Sequence, residues 1–457
     1  MVEPLFITDV DGKIKPLLAE SYEVSSDGLV YTIKIKKGVK FHDGTPLTAE
    51  AVKFSLERLL DPKVRVPGRH NYLVMKKIEV VDDYTVRIYL KYPFAPFISL
   101  LTGTNTGIMS PNSAKKLGDK ITKDLTGLGT GPFKFVEWVK GDRLVLERND
   151  NYWGEKPKLR KIIFKIVPDA HTREVMLLAG DLDMIVLPPA ADIPQLAKNP
   201  NVKLWFSNAS RTMFVVINTM YGPLRDVRVR QALNYAVDKE AIVKKILFGL
   251  GTPVDSPLPW FFPGYKSLTP YKYDLKKAKQ LLAKAGYPNG FEVALFSPNG
   301  RYLFDKEVSE AIASYLEKVG IKVRIQILDW PTFVASILQP PEKAQFQLIF
   351  LGWGVGTPDP HFQFYLRFHS KCFTPNGFNL HFYNNSEVDK LLDEAMKTLD
   401  PEEREVMYQR VCEILWRDCP VIWLYMQSYV VATSSKVKDI IMYPYEMFGL
   451  QKAYIEG

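Results

Sequence analysis

Residues 292–351 read EVALFSPNGRYLFDKEVSEAIASYLEKVGIKVRIQILDWPTFVASILQPPEKAQFQLIFL. Three apolar runs, Glu292–Phe296, Val323–Ile327 and Phe346–Leu351, alternate with two stretches of helical period, Asp305–Val319 and Thr332–Leu338. Parallel strands need a crossover long enough to bring the chain back, and a helix supplies it, so this alternation predicts an α/β layer. In open sheets of that kind ligands sit beyond the carboxyl ends of the strands. The run ending at Leu351 enters Gly352-Trp353-Gly354-Val355-Gly356-Thr357-Pro358-Asp359-Pro360, where glycines let backbone approach a ligand and Trp353 offers a flat face. The run ending at Phe296 enters Ser297-Pro298-Asn299-Gly300-Arg301, which brings a guanidinium suited to a carboxylate or phosphate to the same sheet edge. Each has a plainer alternative: Trp353 as a core plug in a glycine-rich turn, and Arg301 as one half of a surface ion pair.

Working outward, Asp274 caps a helix through Ala285 that stops at Gly286 with Pro288 behind it. Residues 252–270 carry Pro253, Pro257, Pro259, Pro263 and Pro270, which marks a connection, and the crossing between lobes is expected here. Before it, Ile162–Val167, His171–Leu178 and Asp183–Leu187 read as a βαβ unit with a parallel sheet. Asp226 then caps a helix burying Val229, Leu233, Ala236 and Val237. The first 150 residues read as a mixed, largely antiparallel module: Tyr31, Ile33 and Ile35 alternate with polar residues, as do Val86, Ile88 and Leu90. Between them Thr48 opens a helix with Val52, Leu56, Leu59 and Leu60 on one face. Towards the C-terminus Ser386 opens one helix, and Asp400-Pro401-Glu402-Glu403 opens another with cap, N1 proline and acidic first turn.

A chain of 457 residues is long enough to divide into domains. Its net charge of +9 comes from Lys and Arg interleaved with 51 acidic residues, a solvated mixed surface and not a nucleic-acid stripe. No run approaches the length of a membrane-spanning helix. Cys372, Cys412 and Cys419 make no paired framework and no zinc spacing, so buried free thiols are expected. His361, His369 and Cys372 form the one candidate metal cluster, with weak spacing. No nucleophile elbow, P-loop, His-Glu-x-x-His or dinucleotide fingerprint is present. His42 lies beside Asp43-Gly44 and reads as a turn residue. The start, Met1-Val2-Glu3-Pro4-Leu5, has no export-signal pattern.

The motifs, in order, resemble the extracellular solute-binding protein family 5, the peptide/nickel-type binding proteins of ABC importers. They are Pro16-Leu17-Leu18-Ala19-Glu20-Ser21-Tyr22 running on to Phe41-His42-Asp43-Gly44, then Thr48-Ala49-Glu50, Gly129-Thr130-Gly131-Pro132-Phe133 and Asn151-Tyr152-Trp153-Gly154. Arg228-Val229-Arg230-Gln231-Ala232-Leu233 and Tyr383-Asn384-Asn385-Ser386-Glu387 complete the series. The resemblance implies a two-lobed, class II periplasmic-binding-protein-like α/β fold of three structural domains with a ligand cleft between the lobes. Residues 1–19, 150–248 and 428–457 would form the first lobe, 20–149 its extra domain and 249–427 the second lobe, with hinges at about 249–253 and 426–430. It further implies an extracytoplasmic or lipid-anchored monomer, with family members normally starting some tens of residues earlier. Such a protein delivers a small solute (peptide, oligosaccharide or chelate) to an ABC permease, with no catalysis, cofactor or nucleic acid. The alternative is a hydrolase or a metal-binding protein on the same fold. Expected ligand contacts are Gly352, Trp353, Gly354, Gly356, Asp359 and Arg301, with Trp423 and Tyr425 where the chain returns to the first lobe. In peptide-binding relatives an acidic residue pairs with the peptide amine at the position that is Gly356 here, so simple free-amine peptides are expected to bind poorly.

Overall fold

The alternation of Tyr31, Ile33 and Ile35 with polar neighbours puts one face of strand Val30–Ile35 on a core. That strand pairs antiparallel with Ala19–Val24 and Thr85–Leu90, and Met75–Asp82 completes a four-stranded sheet. Helix Ala49–Leu60 buries Val52, Leu56 and Leu59 in the same core. The computed structural model describes every residue except Val355 and Pro358, and it leaves out the side chains of residues 208–210.

The rest of the molecule is organised by one seven-stranded sheet. Its order is Met184–Val186, Val421–Ser434, Val202–Ile217, Leu348–Trp353, Glu292–Pro298 and Lys322–Leu328, with Gly251–Pro253 paired beside Val421–Ser434. The last three run parallel to one another, as the alternating pattern of residues 292–351 requires, and helices Asp305–Glu317 and Trp330–Ile337 connect them. Two strands are exceptionally long, at 16 and 14 residues. A 16-residue strand spans about 50 Å, enough to run through two lobes. At one end Val202–Asn208 pairs with Ser428–Ser434 and Met184–Val186 lies outside; at the other, Thr212–Ile217 lies between Val421–Met426 and Leu348–Trp353. The register slips between Asn208 and Thr212, where one half gives way to the other.

The segment 162–187 departs from the βαβ expectation. Helix Ala170–Ala179 is present and capped by Asp169. Strand Lys161–Lys165, however, pairs antiparallel with Arg143–Arg148, and Met184–Val186 pairs antiparallel with the second long strand. Lys161–Lys165 takes the hairpin edge next to it in sequence, while Met184–Val186 joins the edge of the large sheet, so the two strands belong to different sheets and no βαβ crossover forms.

Residues 218–248, expected in the first lobe, pack against residues expected in the second. Helix Val227–Ala236 packs on Leu275–Lys284, and its Val229 and Leu233 share a core with Phe296, Phe350 and Trp423. The chain has by then changed halves along Val202–Ile217. Proline content marked 252–270 as irregular, but composition carries no information about the route of a connection.

Candidate functional site

The loop after Glu292–Pro298 is built by one buried carboxylate. Asp305 accepts hydrogen bonds from the backbone amides of Gly300, Arg301 and Tyr302 at 2.8–3.0 Å, so the turn is fixed on its helix. Tyr302 turns inward and donates its hydroxyl to the Gly352 carbonyl at 3.3 Å, joining this loop to the end of Leu348–Trp353. Gly352 permits that approach, since a Cβ there would collide with Met213 Sδ and press on Tyr302. Burial raises the Tyr302 pKa, so its hydroxyl stays protonated.

These loops face a cavity of about 450 Å³ between the two halves of the sheet. Arg301 and Phe304 line it from the second lobe, His171 and Pro189 from the first, and Tyr429 and Arg211 along the long strands. Arg211 donates Nε and Nη2 to the two oxygens of Glu446, both at 2.7 Å. Burial opposes the Arg211 charge, but the Glu446 bond outweighs it and raises the pKa. That pair is electrically spent. The Arg301 guanidinium is exposed and lies 5.1 Å from the ring centroids of both Tyr302 and Trp330. Among the described residues no carboxylate stands within ion-pair distance of it, so the cavity presents one uncommitted positive charge.

A second cavity, of about 380 Å³, is lined by Gly356, Glu3, Tyr152, Glu155 and Met447. The hairpin Ile441–Tyr443 and Met447–Gly449 lies between the two, giving Glu446 to one and Met447 to the other. Glu3 is fully occupied: it accepts from Thr130 Oγ1, Tyr152 Oη and Trp153 Nε1 at 2.7–3.1 Å. Gly356 is exposed, with open space where a side chain would project.

Of the residues expected from sequence, Arg301 and Gly356 line these cavities, and Gly354 lies exposed against the Arg211 backbone. Trp353 is half-buried. Its Nε1 donates to the Phe362 carbonyl at 3.3 Å and its ring meets Phe378. Val355 and Pro358 of the same loop lie outside the described residues.

Three expectations need correction. Asp359 caps helix Pro360–Phe368 and takes both Arg404 Nη atoms at 2.9 and 3.0 Å. With both oxygens committed it cannot swing toward a ligand amine without stranding a buried guanidinium. It borders a third cavity, of about 900 Å³, whose charge at that point is neutralised by the same pair. Trp423 and Tyr425 are core residues, 1% and 0% exposed, with Trp423 stacked on Trp416 at 5.6 Å. They lie near the start of Val421–Ser434, within the part that pairs with Thr212–Val216. Sequence reasoning missed Arg211 and Glu446: 235 residues separate them, and no spacing rule connects a mid-strand arginine to a distant hairpin.

The candidate metal cluster does not assemble among the described residues. His361 is buried against Phe94, Phe362 and Tyr365, while His369 lies near Asp389 and Asp393. His171, Glu174 and Asp192 do bring ligand-type atoms within 4.8 Å of one another. Cys372, Cys412 and Cys419 are free and buried. His42 donates Nε2–H to the Gly131 carbonyl at 2.9 Å beside the Asp43-Gly44 turn.

The model of the bacterial extracellular solute-binding proteins, family 5 (middle), matches residues 13–375. The chain belongs to this family. It is 34% identical over 451 residues to the glutathione-binding protein GsiB of Pectobacterium atrosepticum, covering 98% of this chain and 87% of that one. Among solved structures, it is similar to the periplasmic binding protein DppA of Helicobacter pylori in complex with peptide STSA, with TM-score 0.81 and 31% identity over 100% and 92% of the two chains. HbpA2 of Haemophilus parasuis gives TM-score 0.88 at 30% identity over 100% and 94%. The family-5 protein thus has the two-lobed binding-protein fold and the role that goes with it, the substrate-binding component of an ABC importer. No helix among the described residues is long and apolar enough to cross a membrane.

Proposed function

We propose that this family-5 protein captures a small solute through a carboxylate, encloses it between lobes divided near residues 210 and 427, and passes it unchanged to a membrane permease. It does so as an extracytoplasmic monomer. The observation that carries this reading is the Arg301 guanidinium, held by the Asp305-anchored loop and unpaired at the cavity, beside an Arg211–Glu446 pair that is already neutral. Short peptides and glutathione both carry such a carboxylate, in keeping with the relatives named for glutathione and solved with peptides. The lining brings together a spent ion pair, a free cation, aromatic and aliphatic side chains and the exposed His171, with no nucleophile held beside a base among the described residues, which suits holding a solute better than transforming one.

At the Arg301 and Gly356 cavities the amine end of a peptide meets, among the described residues, no uncommitted acid in a fixed position. Gly356 offers no carboxylate, Glu3 is fully bonded, and Glu155 is exposed, 3.9 Å from Lys452. Recognition therefore rests on the acid end. Calorimetry with glutathione, a free dipeptide, its N-acetyl form and its C-terminal amide tests this. N-acetylation should cost less than about tenfold in affinity, whereas amidation should cost more than about tenfold, the loss of one charge-assisted contact. Binding that survives amidation but not acetylation would reverse the assignment.

A further inference from the structure

Helix Pro360–Phe368 buries a guanidinium that no acid neutralises. Arg367 is 3% exposed, and among the described residues no carboxylate lies within ion-pair distance. The residues outside the description are Val, Pro, Asn, Ala and Ser, none of them acidic. The guanidinium carbon lies 4.4 Å from the Phe214 ring centroid, 4.8 Å from Phe368 and 5.5 Å from Trp353. An aromatic cage of this kind attracts a cation but accepts no in-plane hydrogen bonds. Nη1 reaches the Gln363 carbonyl at a long 3.4 Å, and Nη2 finds no partner. Burial lowers the Arg367 pKa to about 9, which still leaves it charged at neutral pH.

The neighbours share the same want. Gln363, one turn earlier on the same face, is 1% exposed, and its Nε2 has no acceptor. His381, also 1% exposed, stacks on Phe368 at 4.9 Å with neither ring nitrogen bonded. Burial and the Arg367 charge outweigh an approach to the Arg367 backbone and keep it neutral, so one ring nitrogen carries hydrogen and the other is bare. The unpaired Arg367 Nη2 and Gln363 Nε2 donors and the buried positive charge are therefore in excess, and what the cluster lacks is a negatively charged acceptor. Arg404, on helix Pro401–Asp418, supplies the contrast: its largely buried guanidinium meets Asp359, the cap of helix Pro360–Phe368, through both Nη atoms.

We propose that Arg367, Gln363 and His381 form a buried site for a small monovalent anion of the halide type, lying one side-chain layer from Trp353. The enclosure of all three residues excludes a solute-sized acid, so this site is separate from the cavity at Arg301. An anion here would neutralise the guanidinium and bond the free Nη2 and Nε2 groups, which otherwise bear the full cost of desolvation.

Crystals grown in sodium bromide should show an anomalous peak within hydrogen-bonding reach of Arg367 Nη2. Thermal melts should show the wild-type midpoint at least about 2 °C higher in sodium chloride than in sodium gluconate of equal ionic strength. Arg367→Met, which keeps much of the side-chain volume, should abolish that difference whatever its own midpoint. Absence of a bromide peak in the wild-type crystals, or a chloride effect that Arg367→Met leaves intact, would overturn the proposal. Because the peak is sought in unaltered protein, the test stands even if the variant fails to fold.

Discussion

Strands Leu348–Trp353 and Val421–Ser434 flank the same long strand, Val202–Ile217, and each brings a tryptophan toward the junction of the lobes. The first strand stops at its tryptophan. The second runs on for eleven residues past Trp423, and that difference decides what each side chain does. A residue at a strand's carboxyl end lies at the mouth of the sheet, whereas one within a strand, like Trp423 near the start of its own, has neighbours on both sides and a layer above it. Trp353 is accordingly half-buried beside the cleft loop, while Trp423 is 1% exposed and stacked in the core.

Substitution should separate the two regions. Trp423→Ala should destabilise the fold by about 3–5 kcal/mol, the usual cost of truncating a large core side chain, which chemical denaturation can measure. Asp359→Asn should come next, at about 3 kcal/mol, because Arg404 loses its counter-charge in a buried setting. If Asp359 were a ligand group, that change would weaken binding and spare the melt.

The histidines extend the contrast to pH. Burial lowers the pKa of His42 and of His361 to about 4. The folded chain thus refuses protons that the unfolded chain accepts below about pH 6.5. These two groups contribute no penalty above that value, and stability falls as pH drops from about 6.5 toward 4. Melts at about pH 7 and pH 5 measure the fall, and His361→Gln should make it shallower. A midpoint that does not move across this window would mean that neither ring is buried as described.

Trp353→Ala should destabilise the fold less than Trp423→Ala, its ring being only half-buried against Phe378, and cost about 1–3 kcal/mol of solute binding, read by calorimetry. Equal affinity in the variant would place Trp353 with Trp423 as packing. Tyr425→Phe should change least: its hydroxyl is buried with no partner, so its removal should leave stability within about 0.5 kcal/mol or improve it.

What the sequence disclosed follows the same division. The parallel strands of residues 292–351 and helices such as Pro401–Asp418 were legible because local periodicity and capping determine them. The place of Arg301 beside a cavity was legible because a strand-end loop needs only local rules. The route of the chain between lobes was not, since it depends on one 16-residue strand entering two different pairings, which no local pattern marks. Arg211 and Glu446 meet only through that route. The family resemblance implied an acid missing at Gly356, whereas the commitment of Asp359 to Arg404 required the tertiary contact.

The most direct test of the account is the affinity of Arg301→Gln for whichever carboxylate probe the wild-type protein binds most tightly. The cavity chemistry predicts a loss of more than about tenfold, with an unchanged thermal midpoint and no further loss when the probe is amidated. Full affinity in Arg301→Gln, or an undiminished effect of amidation in that variant, would contradict it.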